Sequence, residues 1–507
     1  MPGPEAPKTT GSAHFVRRTG FWAGLSFFFL VLLMGRPAGL APEGQRVLAV
    51  TVLMAVWWVT EAVPIPVTSL LPILLYPLLG VMSSDQVTGE YANDLIFLFF
   101  GGFFLALTLE RWDLHRRLAL HVMLLFGTRL PRMVLGVMCA VAVLSMWISN
   151  TATTLMMLPL CLALVEQVRE DSADDALADR FSVALLLGTA YAANVGGMGT
   201  PIGTAPNGVF LRVFDGALRP SFAEWMAFGV PLVIVFVVVI WVLLTKVLHR
   251  LPAREETVAA DIVRTRLAAM GRLSREERAV MGVFGLTVLL WVFRGGLGPI
   301  PGWVDGLRAL GLTWLANGAR SGVGDSAVAI LAVLLLCTLR VRRGGKPLAD
   351  WRLGIKVPWG MLLLFGGGFA IAQGFQASSG DLKSLSAWVG GGIGQLMSLH
   401  PLVVIVCTST ILSFLTEFTS NTATTAVTVP ILASLGDPDI ARLVCLAATL
   451  SASCAFMFPV ATPPNAIVFA SEKVPMRTMM KTGILFNFVG IILVSAAVWG
   501  IARWSLP

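Results

Sequence analysis

The string Ser149-Asn150-Thr151-Ala152-Thr153-Thr154 recurs as Ser420-Asn421-Thr422-Ala423-Thr424-Thr425, and a proline follows each copy at the same offset, Pro159 and Pro430. Both copies lie in strongly apolar surroundings. An unpaired polar group in an apolar medium costs several kcal/mol, so a fold is acceptable only if these hydroxyls and amides find partners or ligands. The chain is 56% hydrophobic and 13% charged, against roughly a quarter charged in a soluble domain. It therefore reads as an all-α polytopic membrane protein. At about 20 apolar residues per span, the apolar runs accommodate about ten or eleven crossings plus shorter re-entrant pieces. The net charge of +8 sits mostly in short loops, which speaks of orientation and anionic headgroups and not of nucleic acid. The six cysteines form no CxxC pair and read as small core residues.

Residues 1–13 read as a disordered cytoplasmic tail, and the first span as Phe21 to Leu40. Further spans are expected at Val47 to Val63, Val67 to Val81 and Leu95 to Leu109. Glu61 is either a functional carboxylate or one paired near the interface. The first string then divides two apolar arms, Met133 to Ile148 and Thr153 to Val165. Each arm is only about 20 to 24 Å long at helical rise, too short for a ~30 Å hydrocarbon core, so together they predict a re-entrant hairpin with the string at its tip. Glu166 to Arg180 reads as a polar loop. The next span is broken at Asn194 to Asn207, where Gly, Pro and Thr crowd together. Unwound backbone at membrane depth is tolerated where it is buried in protein or lines a cavity.

Spans follow at Trp225 to Leu248, Val280 to Phe293 and Ala327 to Leu339, separated by an Arg- and Glu-rich loop ending at Arg278 and a Gly-rich stretch from Arg294 to Gly324. The basic loops share a side with the basic N-terminus, which puts the N-terminus inside and the C-terminus outside. The second half then repeats the motifs of the first in the same order. Leu364 to Phe369 echoes Phe99 to Phe104, Pro401 to Leu435 forms a second short-armed hairpin, and Phe458 to Asn465 matches Thr200 to Asn207 at both outer prolines, the Thr and the Asn. A last span runs from Gly483 to Ile501. An even number of spans precedes one hairpin and an odd number the other, so their mouths open on opposite faces, the inverted-repeat plan of secondary transporters with a midplane site.

Sodium is a hard cation that accepts hydroxyl, amide and carbonyl oxygens, all of which a hairpin tip facing a broken helix supplies. One cage is expected from Ser145, Ser149 and Asn150 with carbonyls of Gly199 or Gly203, and its counterpart from Thr416, Ser420 and Asn421 with the carbonyl of Ala461. Hydroxyl, amide and half-helix N–H donors suit an anion. A small anionic substrate is expected between the tips, on Asn150, Thr151, Ser420, Asn421 and Thr422, with Thr462 and Pro463 as the wall. No Arg or Lys occurs in these motifs, so bound cations must supply the countercharge. Glu417 is either a protonatable coupling group or a structural carboxylate of the hairpin. No motif holds a nucleophile with a His base or a metal-ligand set, so the chain is not expected to be an enzyme.

The paired Ser-Asn-Thr strings and the stretch Ala452 to Val468 resemble the divalent anion:sodium symporter family, the dicarboxylate, citrate and sulfate carriers, over nearly the whole chain. The resemblance implies eleven spans, two re-entrant hairpins, a homodimer in the cytoplasmic membrane, and a transport domain that moves as an elevator against a scaffold. It divides the chain into a cytoplasmic tail (1–20), scaffold helices (21–130), a transport-domain hairpin and broken helix (131–224), scaffold helices with a cytoplasmic loop (225–358), a connecting helix (359–399), the second transport-domain hairpin and broken helix (400–480), and a C-terminal helix (481–507). It implies sodium at each tip and no organic cofactor. Sodium-coupled uptake of a C4-dicarboxylate such as succinate, malate or fumarate is the expected activity. An exchanger without sodium coupling, a sulfate symporter, and the membrane subunit of a multi-component carrier are the alternatives.

Overall fold

The structure, a computed structural model, describes residues 11–127, 129–171, 174–214, 218–253, 257–295, 301–312, 323–341, 345–378, 382–393, 400–434 and 437–505. Among these residues the chain is helical, with a single isolated β-bridge between Leu40 and Lys383. The first half contributes α1 (Gly11–Leu33), α2 (Pro42–Thr60), α3 (Asp94–Arg111), α4 (Leu130–Ser145), α5 (Asn150–Asp171), α6 (Asp175–Gly196), α7 (Ala205–Val213) and α8 (Phe222–Val242). The second contributes α9 (Arg275–Val292), α10 (Asp325–Thr338), α11 (Trp359–Gly374), α12 (Pro401–Leu415), α13 (Asn421–Leu432), α14 (Pro438–Ser451), α15 (Pro463–Phe469) and α16 (Met476–Ser505). Short helices connect several of them. Six helices among the described residues are long and apolar enough to cross a membrane, and shorter apolar ones include α4, α11 and α12.

Side-chain caps set many of the starts. Asn93 accepts from Leu95 N, Asp174 from Leu177 N, and Ser221 and Ser274 form capping boxes with Glu224 and Glu277. Each cap satisfies N–H groups that the first turn leaves without an intrahelical partner.

The two halves interlock. Helix α7, which follows the first break, packs on α13 of the second hairpin, while α15, which follows the second break, packs on α5 of the first. Each break is closed in the same way. Asn207 Nδ2 donates to the carbonyls of Gly197 (3.0 Å) and Thr200 (2.8 Å), and Asn465 Nδ2 donates to those of Ala455 (3.1 Å) and Phe458 (3.1 Å). The shared Asn of the repeated motif is thus a staple that satisfies carbonyls freed by the unwound backbone. Close helix approach is built from glycine: a Cβ at Gly483 would strike the backbone of Phe456 and Met457, so α16 lies directly on the second break.

Several boundaries differ from the sequence expectation. Helix α1 starts at Gly11 and ends at Leu33; its first turns carry His14, Arg17 and Arg18, so a hydropathy run does not register them. The run Val67 to Val81 is two short helices, Ile65–Thr68 and Leu71–Leu78. The first hairpin is unequal: α4 has 16 residues, but α5 has 22 and continues through the supposed polar loop to Asp171. Polar residues there belong to exposed helical turns, which a hydropathy run cannot separate from a loop. The second hairpin keeps short arms, 15 residues in α12 and 12 in α13. Part of the proposed tail (1–10) and Arg342 and Arg343 of the basic loop lie outside the described residues. Of the cysteines, Cys161, Cys445 and Cys454 are buried as expected, whereas Cys407 is exposed.

Candidate functional site

Both Ser-Asn-Thr strings line one cavity of about 730 Å³, together with Gly203, Thr204, Ala461, Thr462 and Pro463 from the two breaks. That volume suits a small-molecule site. Ser149 and Ser420 act as N-caps: their hydroxyl oxygens accept from Ala152 N (3.2 Å) and Ala423 N (3.5 Å). Helices α5 and α13 therefore begin at the cavity wall, where first-turn N–H groups and the positive end of the helix favour an anion. Further from the tips, Thr154 and Thr425 donate back to the carbonyls of Asn150 (2.8 Å) and Asn421 (2.6 Å), so these hydroxyls serve their own helices.

Two of the expected cation ligands converge at the first break. A methyl group added at Gly197 would lie 3.1 Å from the Gly203 carbonyl oxygen and 3.2 Å from Asn150 Oδ1, so both oxygens face one small space. Ser145 closes the other side, its hydroxyl shared between Asn150 Oδ1 (2.6 Å) and the Ala193 carbonyl (2.7 Å). At the second tip, Asn421 Oδ1 is buried and has no hydrogen-bond partner among the described residues. A buried acceptor left bare is costly, and a cation is a ligand that would satisfy it. The donor set, hydroxyl, amide and carbonyl oxygens, fits a hard cation such as sodium.

Two expected ligands are placed elsewhere. The Gly199 carbonyl faces α8, where a Cβ at Gly229 would come within 3.1 Å of it, and Met146 packs over Gly199 from the other side. Thr416 is buried, but its hydroxyl donates back to the carbonyls of Leu412 (2.9 Å) and Ser413 (3.2 Å), the usual outlet for a hydroxyl at a helix end, and it is not on the cavity wall. The match of Ser145 with Thr416 by repeat position therefore does not extend to their contacts.

Glu417, fully buried, accepts from the backbone N–H groups of Phe456 (2.7 Å), Met457 (3.0 Å) and Phe458 (3.1 Å) and from Asn487 Nδ2 (2.7 Å). It ties the second hairpin tip to the second break, the contact expected of a structural carboxylate. The equivalent position in the first string is Met146, and there the tie is the Thr200 hydroxyl bonded to the Met146 carbonyl. Glu61 pairs with Arg17 at 3.3 Å, both half-exposed at the cavity rim. Arg17 was not predicted at the site: it arrives from 44 residues away in sequence, and no local pattern signals it. Being paired, Arg17 and Glu61 add no net charge, so the countercharge for an anion falls to cations. Another polar wall residue outside the expected set is Asn194, in the last turn of α6 just before the first break; a polar Asn beside that break is the available signal.

Comparison with known proteins agrees with this architecture. Residues 17–506 match the family model described as the sodium:sulfate symporter transmembrane region. The chain is 36% identical over 502 residues to the sodium-dependent dicarboxylate transporter SdcS of Staphylococcus saprophyticus, covering 97% of this chain and 92% of that one. It is 37% identical over 491 residues to SdcS of Staphylococcus aureus, covering 95% and 90%. Among solved structures, the fold is similar to the Alcanivorax borkumensis YdaH transporter, with a TM-score of 0.51, 12% identity and coverage of 90% of this chain and 99% of that one. It is also similar to Neisseria gonorrhoeae MtrF, with a TM-score of 0.53, 12% identity and coverage of 98% and 95%. With both strings on one cavity and the family model spanning nearly the whole chain, this protein belongs to the sodium:sulfate symporter family of integral membrane transporters, the divalent anion:sodium symporters.

Proposed function

We propose that the protein is a secondary transporter that carries a C4-dicarboxylate such as succinate, malate or fumarate together with sodium across the cytoplasmic membrane. The observation that carries this reading is the bare, buried Asn421 Oδ1 of a residue on the wall of an anion-suited cavity with no unpaired basic residue on its described wall. The curated relatives, sodium-dependent dicarboxylate transporters, support it. In this reading Ser145, Ser149, Asn150, Gly203, Ser420, Asn421 and Ala461 hold sodium, while Thr151, Thr422, Thr462 and the amide nitrogens of Asn150 and Asn421 hold the carboxylates against Ser420 and Pro463. Purified protein in liposomes should accumulate labelled succinate under an inward sodium gradient. Equal uptake in potassium or choline would refute the coupling, and uptake only into dicarboxylate-loaded vesicles would make the protein an exchanger.

Transport follows an elevator plan with inverted repeats, a cytoplasmic N-terminus, an outer C-terminus and a homodimeric scaffold. In that frame the cavity, with Arg17 and Glu61 on its rim, opens inward. Supporting the frame on the outer side, Arg212 at the end of α7 forks onto Glu90 at 2.7 and 2.9 Å and lies 5.8 Å over the Phe369 ring of α11. This pair joins the moving and fixed parts on the closed face and must part when the transport domain moves. Its loss takes the Glu90 carboxylate away from a mostly buried guanidinium, worth about 2–5 kcal/mol in comparable pairs. Glu90→Gln is therefore expected to raise outward exposure at least about tenfold, read as labelling from outside of a cysteine placed at Val460, which is 84% exposed in the cavity. Unchanged labelling would remove the pair from the transport cycle.

A further inference from the structure

Asn194 stands on the cavity wall between the two breaks and is only 2% exposed. Its Nδ2 is committed to the Ala455 carbonyl (3.4 Å), Thr462 Oγ1 (3.1 Å) and Asn465 Oδ1 (3.4 Å). The Ala455 carbonyl accepts only, and Asn465 Oδ1 is an acceptor because its own Nδ2 is committed to carbonyls. The amide orientation of Asn194 is thereby assigned by its partners. Its Oδ1 has no hydrogen-bond partner among the described residues and is not one of the fully enclosed bare acceptors, so the group this wall residue leaves for a cavity ligand is an acceptor.

Thr462 is affected by the same contact. Its hydroxyl oxygen accepts from Asn194 Nδ2 and from Asn465 N (3.3 Å), so both lone pairs are engaged and the proton is left to donate. The pair therefore presents an O–H donor and, one amide width away, a carbonyl acceptor. A plain carboxylate uses only the donor and meets the acceptor unfavourably. A carboxylate whose neighbouring carbon bears a hydroxyl uses both: its oxygen accepts from Thr462, and its hydroxyl donates to Asn194 Oδ1.

We propose that Asn194 is a specificity-determining residue that selects 2-hydroxydicarboxylates over unsubstituted dicarboxylates at this site. The inference rests on the dicarboxylate reading above and names the subclass. Sites built to bond a substrate hydroxyl discriminate against the analogue that lacks it, because the site's polar group is then left unpaired.

The test is competition against labelled succinate uptake in proteoliposomes, after sodium dependence of that uptake has been measured. Failure of the sodium dependence overturns the transport reading; the competition ratio judges the inference, and thermal shift of the purified protein by the same acids measures that ratio without transport. With wild type, malate should compete at least about fivefold better than succinate, in line with one hydrogen bond. 2-Methoxysuccinate, which keeps the oxygen but has no proton to donate, should lose that advantage. Asn194→Ala should bring the malate-to-succinate ratio to about one. Three results would overturn the proposal: wild type with no preference for malate, Asn194→Ala weakening both acids equally, or Asn194→Ala altering sodium dependence with the ratio unchanged. The wild-type arms decide the matter even if the variant fails to fold.

Discussion

Asn421→Ala is expected to abolish sodium-driven uptake, and its effect should exceed that of any other substitution in the tips. Hydrogen-bond-type contacts to a charged group contribute about 1.5–3 kcal/mol, so loss of Oδ1 should weaken sodium binding by about 10- to 100-fold. The substitution should cost nothing in the absence of sodium, because Oδ1 is buried and bare in the structure. In sodium-free buffer the variant should melt at or slightly above the wild-type temperature, while the rise in melting temperature on adding sodium disappears. Asn150→Ala should act on sodium binding in the same direction, but it should also destabilise the sodium-free protein, since Asn150 Oδ1 already accepts from Ser145. A retained sodium shift in both variants would refute the assignment of the tips.

Glu417→Ala should have the largest effect on stability. It strands the N–H groups of Phe456, Met457 and Phe458 and the amide of Asn487 in a buried setting. An unsatisfied buried donor costs about 1–3 kcal/mol, and partial relaxation still leaves a loss of about 3 kcal/mol or more. The melting temperature should fall with or without sodium. A variant that melts like wild type in sodium-free buffer but has lost its sodium response would instead make Glu417 a coupling group.

These two residues also mark the boundary between local and tertiary information. The strings, their apolar setting and the repeated breaks could be read along the chain, because polar residues at membrane depth and Gly-Pro clusters carry their physical cost wherever the chain goes. The match of Asn207 with Asn465 was visible as repeated letters, and the structure makes it a repeated staple. The closing of both strings on one cavity followed from the same repeat.

Contacts across long sequence separations were not legible. Thr416 matches Ser145 by position, yet its hydroxyl is spent on carbonyls of its own helix, whereas Ser145 also reaches the Ala193 carbonyl 48 residues away, a difference the repeated letters do not carry. Gly199 lies in the same break as Gly203, but its carbonyl sits against Gly229 of α8 and Gly199 is not on the cavity wall. Arg17 and Asn194 join the site through packing of distant helices, and local composition does not encode that packing.

The sequence by itself determined that this is a helical membrane protein with two equivalent polar tips and two broken helices, because desolvation and backbone hydrogen bonding are costs each segment bears locally. Only the tertiary structure decided which oxygens converge, which are already spent on their own helices, and that Glu417 holds the second tip to the second break. Those outcomes depend on angstrom-scale distances between segments tens to hundreds of residues apart, which the packing of the helices sets.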